Sequence, residues 1–133
     1  MDKRSFSLIL PTLNEADCVA EAIAAARQLG PCEIIVVDGG STDDTLARAA
    51  GADLVLSGPR GRAAQMNHGA AHARGDILAF LHADCALEAG ALAIVRQTLS
   101  RPGVVAGCFR MTVTAGGLVY RLIDAASRYA TGR

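Results

Sequence analysis

Apolar residues along this chain fall into short blocks that alternate between two periods. Residues 5–10, 33–37, 53–57 and 77–81 are runs rich in Ile, Val and Leu, each bounded by turn residues. Short continuous apolar runs of this kind read as strands of a sheet covered on both faces. The segments between them carry helical spacing. Asn14 predicts an N-cap, with Asp17 returning a bond to it, for a helix reaching residue 29 with Val19, Ile23 and Ala26 on one face; Gly30-Pro31 ends it. Ser41 and Asp44 predict the cap of a short helix ending at Gly51, with Leu46 and Ala49 or Ala50 turned inward. Further helices are predicted over 63–74 and 88–99, the latter with Leu92, Val95 and Leu99 in one stripe. A fifth strand is expected over 104–113, interrupted by Gly107, and a terminal amphipathic helix over 118–129.

Strict alternation of strand and helix with short connections predicts an α/β fold, a mostly parallel sheet with helices on both faces. In such sheets ligands bind outside the carboxyl ends of the strands, where the strand order reverses. Polar clusters fall at three of those ends: Thr12, Asn14 and Glu15 after the first strand, Asp38, Ser41 and Asp43 after the second, His82 and Asp84 after the fourth. The fourth strand is expected to be buried on both faces. Because side chains alternate along extended chain, His82 and Asp84 are expected to point to one side and to reach one ion together.

Length adds one constraint: 133 residues suit a single domain, 1–133, with a core of its own. With 51% hydrophobic and 20% charged residues the composition is that of a globular protein, and with 4% aromatics its core is aliphatic. Lys+Arg and Asp+Glu balance at 13 each, which argues against a general nucleic-acid binder. Cys18, Cys32, Cys85 and Cys108 form no CxxC motif and are expected as buried free thiols in a reducing cytoplasm. No segment has the length of a signal peptide's apolar core or of a membrane span.

The candidate chemistry narrows by elimination. The turn after the first strand contains no glycine, so it is not a dinucleotide GxGxxG. Residues 58–65 lack the Lys of a P-loop, and Gly39-Gly40-Ser41 is not a nucleophile elbow. The remaining set is carboxylates, Asn, His and two loop arginines. His82 and Asp84 suit a divalent cation such as Mn²⁺ or Mg²⁺, and Arg60 and Arg62 suit phosphate oxygens. A metal-bridged diphosphate leaving group fits that combination.

The stretches SLILPTLNE, EIIVVDGGSTDDT and ARGDILAFLHAD, in that order, resemble the family 2 glycosyltransferases of the GT-A fold. They are most similar to the bacterial subgroup described as radical-SAM/selenodomain-associated transferases, in which LHAD recurs. The resemblance covers nearly the whole chain. It implies a Rossmann-like nucleotide-binding domain, a nucleotide-diphosphate-sugar donor (a UDP-sugar first among them), a divalent cation and an acceptor it does not identify. Pro11, Thr12, Asn14 and Glu15 match the first donor-binding segment; Asp38 matches the first acid of the nucleoside-binding loop. Arg62, Gln65 and Asn67 match the segment that lines the donor site, and Ala83-Asp84 the end of the metal-binding DxD, with His82 where that motif has its first acid. Gly39 stands where many relatives have a second acid, and Asp124 is the last acid after Arg110, where relatives carry the general base. The chain is therefore expected to be the N-terminal part of a longer transferase, with no catalytic base assigned. A missing segment would leave apolar surface that favours self-association.

Blander readings stand beside these. Asp17 and Asp44 suit helix N-termini, and His68 and His72, at i and i+4 with no acid beside them, suit solvent. Tyr120, Tyr129 and the terminal leucines could touch a membrane-bound acceptor or simply pack on the sheet. The alternatives to a transferase are a nucleotide-binding or assembly module without catalysis, and a nucleotidyltransferase, for which the Gly-rich loop after the first strand is absent.

Overall fold

The computed structural model describes residues 3–30 and 32–111. By its internal contacts the chain divides into two units, Met1–Ser100 and Arg101–Arg133. The first contains β1 (Phe6–Thr12), α1 (Val19–Arg27), β2 (Glu33–Asp38), α2 (Thr45–Arg48), β3 (Leu54–Ser57), α3 (Arg62–His72), β4 (Ile77–Phe80) and α4 (Ala91–Leu99). The four strands form one parallel sheet in the order β3-β2-β1-β4. The α/β parallel architecture expected from the alternation is the one observed.

Side-chain alternation sorts the sheet into two faces. Leu8 and Leu10 of β1, with Ile34 and Val36 of β2, meet Val19, Ala22, Ile23 and Ala26 of α1. These α1 positions lie at helical spacing on one stripe. Phe6 and Ile77 continue that face and receive Leu92, Val95 and Leu99 of α4. The guanidinium of Arg96 sits 4.8 Å from the Phe6 ring centroid and its Nε donates to the Arg4 carbonyl, which ties α4 to the start of β1. On the opposite face Ile9, Ile35 and Val37 pack with Ala70 and Ala73. Here α3 lies very close to the sheet: a Cβ on Gly69 would stand 2.6 Å from Ile9 Cγ2 and 2.9 Å from Val37 Cγ2.

Several local expectations fail, each for a tertiary reason. Asn14 does not cap α1. Its φ is +52°, the helix begins at Val19, and its side chain instead reaches the second loop. Ser41 does not cap α2 either, because its hydroxyl is bonded to Asp38 and to the Asn14 N–H. Short polar side chains that cap helices bond equally well to nearby loops, and the loop won at both positions. Thr45 and Ala49 face the core from α2, leaving Leu46 exposed. β4 is not buried on both faces: among the described residues it is the sheet edge, Ile77 is buried, and Leu78 and Phe80 are 41% and 48% exposed. Cys18, Cys32 and Cys85 are half-buried and Cys108 is exposed, so none is the buried thiol expected. In the second unit, residues 104–111 form no strand, for no partner supplies a ladder among the described residues; Val105 is exposed. The remainder of that expected strand and the helix at 118–129 lie outside the described residues. Among the described residues no helix is long and apolar enough to cross a membrane.

The amino ends of the strands are held by depressed carboxylates. Burial pushes the Glu33 carboxyl up, but the Ser7 hydroxyl, the Arg74 N–H at 2.9 Å and the Arg74 guanidinium at 2.9 Å together hold it below its ordinary value. The Arg27 guanidinium and the Ile34 N–H hold Asp53 low. The Ser5 N–H and hydroxyl do the same for Asp76. A carboxylate with its folded pKa below its unfolded one stabilises the fold above the unfolded value, and that stability is lost as pH falls through the folded pKa. The thermal midpoint should therefore be flat above about pH 5 and fall steadily below about pH 4.5. Glu33→Gln should shallow that fall. Calorimetric melts across this range check it, and a midpoint that rises on acidification would refute it.

Candidate functional site

The ladders on the two sides of β1 stop at different heights. β1 pairs with β2 from Ser7 through Thr12, but with β4 only from Phe6 through Ile9. Beyond Ile9 the next β1 group facing β4 belongs to Pro11, which has no N–H to donate. The strands part there, where the chain order reverses from β1-β2 to β1-β4, the crevice such sheets use for ligands.

The β1–β2 side of this crevice is a closed hydrogen-bonded cluster. Asp38 is 1% exposed. Its Oδ1 accepts from the Thr12 and Ser41 hydroxyls, and its Oδ2 from the Gly40 and Ser41 N–H groups at 3.0 and 2.8 Å. Asn14 Oδ1 accepts from the Thr42 N–H at 2.8 Å, and the Asn14 N–H donates to Ser41 Oγ at 2.8 Å. The Glu15 N–H donates to Thr45 Oγ1 at 2.8 Å, and the Ala16 N–H to Asp43 Oδ2 at 3.2 Å. Asp43 also accepts from the Thr45 N–H and hydroxyl, and the hydroxyl bond holds its carboxyl low. Asp44, expected as a cap, occupies the N-cap position of α2 without a side-chain cap bond.

The β4 side carries Asp84 and Glu15. β4 ends at Phe80, and His82–Cys85 is a turn closed by the Cys85 N–H to the His82 carbonyl at 3.0 Å. Strand alternation therefore does not extend to His82 and Asp84, and the period-two argument does not bring them together. Asp84 is exposed, with Oδ1 accepting from the Cys85 thiol at 3.4 Å. Glu15 Oε2 accepts from the Cys18 thiol at 3.0 Å. Burial, that bond and the fields of Glu15 and Asp84 push Cys18 up to about 12. It stays protonated at neutral pH and acts as a donor to Glu15, not as a nucleophile. Burial and Asp84 raise Cys85 as well, while Arg62 opposes the rise and Glu15 adds to it. Glu15 and Asp84 thus act on both thiols, and Arg62 on Cys85.

The other expected site residues divide. Pro11 and Thr12 are buried at the end of β1. Arg60, Arg62 and Asn67 are exposed, and neither arginine makes an ion pair among the described residues. Ala83 turns its methyl into the core beside α1. Gln65 is 4% exposed and donates to main-chain carbonyls, so its side chain faces the sheet rather than open solvent. His68 and His72 are neighbours at 4.8 Å between ring centroids, with His72 Nδ1 2.9 Å from the His68 carbonyl. Sequence reading missed Thr42 and Thr45 as partners of the first loop; hydroxyls that bond another loop carry no local signature.

Among the described residues no three His, Cys, Asp or Glu side chains are placed to hold a metal ion. The chain alone therefore offers no cage. It does fit a cation that takes most of its oxygens from a diphosphate and water, since such ions need one or two protein carboxylates. Asp84 is open for that duty, with His82 in the same turn. An open depression of about 410 Å³ lined by Ser5, Phe6, Cys32, Glu33, Arg74 and Gly75 lies at the opposite, amino ends of the strands. Its carboxylate is already occupied by Ser7 and Arg74.

Residues 7–132 match the family profile described as Glycosyl transferase family 2. A PGL/p-HBAD biosynthesis glycosyltransferase of Mycobacterium bovis is 42% identical over 101 residues, covering 68% of this chain and 40% of that protein. A crystal structure of glucosyl-3-phosphoglycerate synthase from Mycobacterium tuberculosis, in complex with Mn²⁺, UDP and phosphoglyceric acid, superposes with a TM-score of 0.63. It is 29% identical, over 77% of this chain and 41% of that one. The same synthase with Mn²⁺, UDP-glucose and phosphoglyceric acid gives 0.55 and 33%, over 62% and 34%. The chain thus spans about two-fifths or less of these proteins. The profile match, the parallel sheet and the three loop clusters agree, and the chain belongs to glycosyl transferase family 2.

Proposed function

We propose that this chain is the donor-binding part of a metal-assisted glycosyltransferase that takes a sugar from a nucleotide-diphosphate-sugar, a UDP-sugar first among candidates. The observation that carries the reading is the crevice between β1 and β4, with the Thr12–Asp38 cluster on one wall and Glu15, Asp84 and Arg62 near the other. The Mn²⁺ and UDP-glucose held by the related synthase support the choice of ion and donor. The turn Leu81-His82-Ala83-Asp84 supports the narrower radical-SAM/selenodomain-associated subgroup.

On this reading the Thr12, Asn14 and Asp38 loops position the nucleoside, and Pro11 keeps the crevice open. Arg62 meets diphosphate oxygens, for which a guanidinium is the matched donor; Arg60 and Asn67, both exposed, are further candidates for donor contact. Asp84, with His82, holds the divalent cation; when bound, the ion offsets charge that builds on the departing diphosphate. Glu15, its N–H donating to Thr45 Oγ1 and its carboxylate accepting from the Cys18 thiol, keeps that carboxylate close by. Gln65 acts from behind, and no general base is assigned.

Calorimetric titration of UDP and UDP-glucose, with and without Mn²⁺, tests the proposal. Binding should strengthen with Mn²⁺, and Asp84→Ala should weaken the Mn²⁺-dependent part at least about tenfold, roughly 1.4 kcal/mol. The folded state should be unaffected, since Asp84 is exposed. Absence of binding to any nucleoside diphosphate would sink the reading. Binding without hydrolysis or transfer of the sugar would favour a nucleotide-binding module instead.

A further inference from the structure

We infer that Gln65 is a positioning residue that clamps the carboxyl ends of β1 and β2, and that Gly39 lacks a side chain because the Gln65 carboxamide fills its place. The inference rests on the donor-binding reading for its functional half and on packing alone for the other half.

Gln65 is a primary amide on α3, 4% exposed, aimed at the sheet. Its Nε2 donates to the Thr12 carbonyl at 2.7 Å and to the Val37 carbonyl at 2.9 Å. A primary amide nitrogen has two hydrogens, and both are thereby placed. The two acceptors stand at the strand ends: Thr12 is the last residue of β1, and Val37 precedes Asp38, the last residue of β2. The Thr12 carbonyl also accepts from the Gly39 N–H at 2.9 Å, so one oxygen gathers both connections. Thr12 and Asp38, which bond each other through side chains, are thus fixed from behind by a third element.

Gly39 completes the unit. A Cβ built there would stand 2.9 Å from Gln65 Cδ and 3.0 Å from its Nε2 and Oε1, and no other group crowds it as closely. Its φ lies outside the positive region, unlike that of Gly40 at +95°. Backbone conformation does not demand glycine at 39; the closest neighbour of its missing Cβ is the Gln65 carboxamide. A side chain after Asp38 would have to displace that carboxamide from its two carbonyl bonds. The glycine that departs from the family pattern is therefore matched to a residue on another element, and the nucleoside loop is held by main-chain bonds where an additional acid would stand.

The test is a double-substitution cycle read by urea unfolding of the full chain, with nucleotide affinity measured alongside. Gly39→Ala should lower the urea midpoint in the wild-type background and leave it nearly unchanged in Gln65→Ala. Gln65→Leu keeps the volume but removes both amide bonds, those to the Thr12 and Val37 carbonyls. At a temperature where it remains folded by circular dichroism, it should bind UDP with Mn²⁺ about tenfold more weakly. Equal costs of Gly39→Ala in both backgrounds would overturn the interlock. Unchanged UDP affinity in folded Gln65→Leu would overturn the positioning role, since a merely structural residue moves stability alone. If the wild-type chain binds no nucleotide, the donor reading and the positioning role fall together, and the interlock is decided by the unfolding cycle.

Discussion

Asp38→Ala should lower stability by about 3 kcal/mol and abolish nucleotide binding. The buried carboxylate accepts from two main-chain N–H groups and two hydroxyls. Hydroxyls rotate toward other partners, but the Gly40 and Ser41 N–H groups have no such freedom. Each stranded donor costs about 1–3 kcal/mol, and the lost bonds were charge-assisted. Asp38→Asn retains one carbonyl oxygen for the two N–H groups and should cost less, about 1 kcal/mol. Urea unfolding of the three chains checks the ranking. If Asp38→Ala unfolds at the wild-type midpoint, the carboxylate is not what holds the second loop.

Gly69→Leu should be more damaging still, costing above about 3 kcal/mol and releasing α3 from the sheet. The first added carbon already falls inside the contact distance of Ile9 and Val37, and both are fully buried between β-strand neighbours. Gly69→Ala sets the scale. Overpacking costs about 1–3 kcal/mol, and alanine's better helix propensity returns about 1. Since α3 also carries Gln65 and Arg62, the leucine variant should lose the crevice along with the helix. Circular dichroism and urea unfolding read the outcome, and a leucine variant as stable as the parent would show that α3 stands farther from the sheet.

The strands were legible because their signal is local: Ile34 to Val37 could hardly be anything else, and helical spacing in α1 placed Val19, Ile23 and Ala26 correctly. The polar residues at three strand ends were legible too, as the ends of β1, β2 and β4 carry them. What failed depended on neighbours distant in the chain. Leu78 and Phe80 look like core residues until β4 is known to be an edge. Asn14 and Ser41 carry a helix-cap signature, and only the approach of the two loops reveals that their side chains are spent on each other. Gln65 reads as a polar helix residue facing ligand or solvent. The one available clue was its spacing of four from Gly69, which puts both on the helix face that touches the sheet.

The bonds from Asn14, Glu15 and Ala16 to Ser41, Thr42, Asp43 and Thr45 make the first two loops a single rigid body. Loops ordered only by their ligand charge its affinity with their own lost freedom. Here that ordering is already done in the ligand-free chain. Nucleotide should therefore find one stiff jaw instead of two separate flaps.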